Sequence, residues 1–83
     1  MKTFEGEGVR LLDEVERQLS LLAVQPLIGG YFEKPSRKLL IGKHHGVIYS
    51  PENRGVVLLA FVDMRRDLQT LRKRIRDWFG ARP

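Results

Sequence analysis

Residues 37–63 read RKLLIGKHHGVIYSPENRGVVLLAFVD, and the fold turns on how this stretch is parsed. It holds three short apolar runs, Lys38-Leu39-Leu40-Ile41, Gly46-Val47-Ile48-Tyr49 and Val56 to Val62. Between them lie Gly42-Lys43-His44-His45 and Ser50-Pro51-Glu52-Asn53-Arg54-Gly55, both rich in turn-forming residues. Short apolar runs bounded by such turns read as strands, so the spacing predicts an antiparallel meander of two hairpins with strands over 37–42, 45–50 and 55–63. The third run is apolar at consecutive positions, so both of its faces call for cover, and it is expected to be the central strand.

Working outward, the segment before the meander is helical. Val9, Leu12, Val15, Leu19 and Leu22 recur at spacings of three and four and line one face, while Arg10, Asp13, Glu14, Arg17 and Gln18 fall on the other. Arg10–Glu14 and Asp13–Arg17 are placed to pair one turn apart. Pro26 restricts Gln25 and has no amide proton, so this helix is expected over 8–24, with Gly29-Gly30 extending the break. Residues 31–37, with Pro35 and little periodicity, read as a loop. After the meander, Leu68, Leu71, Ile75, Trp78 and Phe79 form a second stripe, giving a helix over 67–79 with Asp67 as its N-terminal anion and Gly80 as its stop. The order is helix, three strands, helix: a single α+β domain over 1–83 with both helices on one face of a curved sheet.

Composition agrees with one small core. The 83 residues are too few for two domains, and 42% hydrophobic with 30% charged is a globular balance. Fifteen Lys and Arg against ten Asp and Glu leave a net charge of +5, which favours an anionic partner. With no cysteine, disulfides and zinc-thiolate sites are excluded, and a reducing cytoplasm is the expected compartment. The first eight residues lack the apolar centre of a signal peptide, and Val56 to Val62 is too short to span a bilayer as a helix. No metal site and no cofactor is expected; Gly6 with Gly8, and Gly29-Gly30, do not open a phosphate-binding strand–helix unit.

Three blocks together carry a resemblance. Leu11-Leu12-Asp13-Glu14-Val15-Glu16-Arg17-Gln18-Leu19, continuing through Leu22-Ala23 to Pro26-Leu27-Ile28-Gly29, is the first. Arg37 to Tyr49 is the second, and Val56 to Leu68 is the third. In order and spacing, over residues 9–68, the chain resembles the RelE/ParE superfamily of toxins from type II toxin–antitoxin systems, nearer the ParE, or plasmid-stabilisation, branch. It departs from the pattern twice. Members usually begin with a strand and a first helix ahead of the first block, where this chain has eight residues. That difference is expected to leave a sheet edge and an apolar helix surface open to a partner chain or to self-association. Asp63 stands where many members have histidine.

The resemblance implies a toxin that inhibits DNA gyrase by binding and is neutralised by a cognate antitoxin, whose flexible segment lays a helix in a groove or adds a strand to a sheet edge. Leu12, Val15, Leu19 and Leu22 are then expected to face the partner in part. The RelE branch implies an alternative, a ribosome-dependent mRNA endonuclease with Arg65 and Arg66 on phosphate and His45 or Tyr49 handling protons. His44 and His45 are adjacent, so on an extended chain they point opposite ways and read first as turn residues. Tyr49 reads first as a half-buried aromatic with its hydroxyl at the surface. Arg65 and Arg66 are placed to grip an anion or to pair with Asp63 and Asp67. Arg72, Lys73, Arg74 and Arg76 are able to follow a phosphate backbone, and Trp78 to stack on a base, unless their charges are merely solvated. A third alternative is a domain that acts only in assembly.

Overall fold

A computed structural model of the chain describes residues 7–81, and side-chain surroundings from Asp13 onward. The elements are α1 (Glu7–Val24), β1 (Gly30–Tyr31), β2 (Arg37–Ile41), β3 (His45–Glu52), β4 (Gly55–Asp63) and α2 (Gln69–Ala81). The α+β class stands as expected. The sheet, however, has four strands in the order β1-β2-β3-β4, all antiparallel, because Gly30 and Tyr31 pair with Lys38 and Arg37 inside what reads as a loop.

α1 ends where Pro26 requires, with the Gln25 amide donating back to the Leu21 carbonyl at 2.8 Å. Two glycines shape the hairpins: Gly42 has φ +66° and Gly55 has φ +140°, conformations that side-chain-bearing residues resist. α2 starts two residues later than the stripe suggests. Asp67 still caps it, its Oδ1 accepting the Gln69 amide at 3.0 Å. Gly80 does not stop the helix but lies within its last turn.

The helices take opposite faces of the sheet, which corrects the expected one-sided arrangement. Side chains alternate along a strand, so Val47 and Ile48 point to opposite faces. Leu22 of α1 packs with Ile41, Val47 and Tyr49, with Val15, Leu19, Leu39 and Val56 beside them. Ile75 of α2 packs with Ile48 and Phe32, with Ala60, Val62, Leu68, Leu71 and Phe79 around them. Each fully buried aliphatic such as Leu22 or Ile48 contributes roughly 1.5–3 kcal/mol of transfer free energy.

The central strand is β3, not β4. Gly46 through Ser50 are all buried, while β4 pairs with β3 alone and leaves Val57, Leu58 and Phe61 at the surface. The apolar density of β4 therefore marks a strand touched on both faces by helix-borne clusters, not a strand flanked on both sides by others. A bulge sets its aim: the register runs Ile48 to Ala60 and then Tyr49 to Leu58, leaving Leu59 as the extra residue. The bulge sends Leu58 toward α1 beside Tyr49, and Leu59 toward the α2 cluster.

Candidate functional site

An apolar groove runs between α1 and β4. Val15 and Leu19 form one wall, Val47 the floor, and Leu58, Leu59, Ala60 and Phe61 the other wall, around a volume of about 460 Å³. It continues toward the β3–β4 turn as a cleft of about 610 Å³ lined by Leu19, Leu22, Ala23, Pro26, Val56 and the polar residues Glu52, Asn53 and Arg54. Leu58 is 52% exposed and Phe61 50% exposed, values well above those of a strand sealed into a core. Of the four α1 leucine and valine positions expected to face a partner, Val15 and Leu19 are half-buried and line this groove. Leu22 is core, and the side chain of Leu12 lies outside the described residues.

A second group of side chains collects at the end of the sheet where β3 begins and β4 finishes. His45 and Asp63 are register partners, and the His45 ring stacks on Phe61 with centroids 5.4 Å apart. His44 sits exposed in the turn, its carbonyl accepting the Met64 amide at 2.6 Å. Arg65 grips Asp63 with two side-chain bonds, Nε to Oδ1 at 3.0 Å and Nη2 to Oδ2 at 2.8 Å, and its amide adds a third at 3.0 Å. These bonds, led by the guanidinium, hold the Asp63 carboxyl well below the usual carboxylate range, and they raise Arg65 in return. Arg66 is exposed, and its guanidinium has no partner among the described residues.

Tyr49 is not at the surface. It is fully buried, and its hydroxyl accepts the Gly29 amide at 2.9 Å. Arg37 Nη1 donates to the Gly29 carbonyl at 2.6 Å, and the Arg37 guanidinium lies 4.3 Å from the centroid of the Tyr31 ring. Together these contacts pin the loop after α1 to the middle of the sheet. Tyr49 is legible in the sequence as a candidate for an interaction, Arg37 is not, and nothing local pairs either of them with Gly29.

On α2 the basic residues divide. Arg72 packs its guanidinium 4.0 Å over the Phe32 ring, donates to the Phe32 carbonyl at 2.7 Å and lies 3.8 Å from Glu33. Arg76 pairs with Glu33 at 3.1 Å, the larger of the influences that raise its pKa. Both therefore clamp α2 to the β1–β2 turn. Lys73 and Arg74 remain exposed. Trp78 leaves the apolar stripe: it is 38% exposed and meets Phe79 edge-on at 4.8 Å, whereas Phe79 joins the core.

Among the described residues no cluster of histidine and carboxylate side chains is arranged to hold a metal ion, and no helix is long and apolar enough to cross a membrane. The chain matches no family model, no curated protein and no solved structure.

Proposed function

We propose that this protein is a ParE-like toxin that acts by binding DNA gyrase and is neutralised by a cognate antitoxin. The reading begins from the three sequence blocks, which fall on α1 with its following loop, on β2–β3, and on β4 with its exit toward α2. The observation that carries the mechanism is the state of Tyr49. A general acid or base must reach the proton it moves, and this hydroxyl is buried against a backbone amide. Arg65, the first guanidinium after β4, is likewise held by Asp63. A binding role is supported by contact surface: an apolar groove at the α1–β4 side, and the cations Arg54 and Arg66 near the two ends of β4.

Inhibition by binding separates from inhibition by cleavage in living bacteria. Expression of the protein is expected to arrest growth and provoke a DNA-damage response while cellular mRNA stays full-length. Transcripts cut at defined codon positions would overturn the proposal in favour of endonuclease activity. Unimpaired growth accompanied by stable oligomers would overturn it in favour of an assembly role.

A further inference from the structure

We propose that the turn after α1 is an anchor for a membrane surface, with an apolar tip that enters the lipid interface and cations at its base that hold anionic headgroups. Such an anchor is independent of the toxin reading. Val24, the last residue of α1, is 77% exposed, and Leu27 is 63% exposed. Ile28 and Tyr31 are also large hydrophobic side chains left at the surface. Single apolar residues on a surface need no explanation, but these four fall within one short stretch of chain and form a patch.

The backbone beneath the patch is fixed. The Gln25 amide donates to the Leu21 carbonyl at 2.8 Å, and the Ile28 amide donates to the Gln25 carbonyl at 3.2 Å, closing a tight turn with Pro26 and Leu27 at its corners. Gly29 is then bound through its amide to Tyr49 and through its carbonyl to Arg37. Below the turn, Tyr31 of β1 pairs across the ladder with Arg37 of β2. The Arg37 guanidinium lies 4.3 Å from the Tyr31 ring centroid, and the Lys34 ammonium lies 4.7 Å from it. Arg37 also donates to the Leu27 carbonyl at 3.3 Å, which ties the tip to the cations. Aliphatic side chains at the tip, a tyrosine behind them and cations beside the ring match the gradient from acyl chains through the interface to the headgroups.

The charges around the patch favour anionic lipid. From Val24 to Leu40 the one acid is Glu33, and Arg72 and Arg76 already hold it. On α1 the nearest acid, Glu16, lies more than two turns back from Val24. Lys38 follows Arg37 along β2 and points to the other face of the sheet. Glu52 and Arg54 share a cleft with Pro26; Glu52 accepts the Ser50 hydroxyl at 3.1 Å, and the Arg54 charge offsets it. Lys34 and Arg37 are left as two positive charges that no acid in this surround balances. An acidic protein segment would meet the same cations, but it would leave Val24 and Leu27 with no apolar medium to enter.

The test sediments the full chain with vesicles of phosphatidylcholine, alone or mixed with phosphatidylglycerol. Binding to the mixed vesicles is expected to be roughly tenfold tighter, and to weaken as salt is raised. Lys34→Gln is expected to weaken it about fivefold. The double variant Leu27→Ser with Ile28→Ser is expected to weaken it roughly tenfold or more without loss of helical circular dichroism, since both side chains are already at the surface. Entry of the tip is read separately, from Leu27→Trp in a Trp78→Phe background, which leaves a single tryptophan. Its emission is expected to shift to the blue when mixed vesicles are added.

Failure to sediment with the mixed vesicles would overturn the proposal. So would undiminished binding of the double serine variant, which would reduce the effect to general attraction of a chain with net charge +5. Unshifted emission from vesicle-bound protein would overturn it as well. Capture by polyglutamate without vesicle binding would overturn it in favour of an acidic protein partner.

Discussion

Gly29 has its amide, its carbonyl and the space beside its Cα all committed to neighbours. The Tyr49 hydroxyl takes the amide, Arg37 takes the carbonyl, and a Cβ would stand 2.3 Å from the Lys38 carbonyl oxygen and 2.7 Å from the Tyr49 oxygen. Gly29→Ala is therefore expected to destabilise the fold by about 1–3 kcal/mol, since the backbone of β2 has to move. Gly46→Ala meets the Met64 sulfur at 2.8 Å, the far end of a flexible side chain, and is expected to cost less. Urea unfolding of the two variants gives the comparison directly. Tyr49→Phe leaves the Gly29 amide unpaired in a buried site, with an expected loss of about 1–3 kcal/mol in the same measurement. The Asp63–Arg65 pair predicts a pH signature. Asp63 is depressed in the folded chain, so its stabilisation is fully present above the ordinary carboxylate value of about 3.9 and is lost as pH falls below it. The stability difference between the native chain and Asp63→Asn is accordingly expected to be constant through neutral pH and to shrink in acid. Pairing of Arg65 with Asp63 is foreseeable from their closeness in sequence. The burial of Tyr49 is not, because its partner lies twenty residues earlier and nothing in the local pattern joins them.

Apart from β1, which lies in what reads as a loop, the elements were the most legible part of the sequence, because each follows from local spacing. The three- and four-residue recurrence gives α1 and α2, Pro26 gives the first stop, and the two turn clusters give the β2–β3 and β3–β4 hairpins. What the pattern does not carry is which strand lies inside. β4 is the more apolar, but β3 is buried along Gly46 to Ser50 because it has neighbours on both sides and a helix-borne cluster on each face. The bulge at Leu59 adds a change of aim that no period-two reading contains. This distinction is measurable. Ile48→Ala in β3 and Ile75→Ala in α2 are each expected to destabilise the protein by about 2–5 kcal/mol. Leu58→Ala in β4, half-exposed, is expected to stay within about 0.5 kcal/mol. Equal losses at Ile48 and Leu58 in denaturant titrations would restore β4 to the centre of the sheet. The groove was partly foreseeable, since Val15 and Leu19 lie on the stripe of α1, whereas its β4 wall depends on the edge position and on the bulge.

As a whole, the molecule is a sheet with a helix-borne cluster on each face and β4 as its long edge strand, with a net charge of +5. Arg72 and Arg76, which the sequence offers to a nucleic-acid backbone, instead fasten α2 to Glu33. That leaves Lys43, Arg54, Arg66, Lys73 and Arg74 as the exposed positive positions most available to a partner. The proposed function rests at this scale on the order of three blocks, each weak alone, whereas strand edges and grooves arise from tertiary packing that no block encodes. The central claim, toxicity through contact with gyrase, is tested most directly by titrating the purified protein into a DNA supercoiling reaction driven by purified gyrase. The account predicts progressive loss of supercoiling as the protein approaches and exceeds the enzyme concentration, with translating ribosomes leaving their mRNA intact at the same dose. Full supercoiling at large excess, together with mRNA cut on the ribosome, would contradict it.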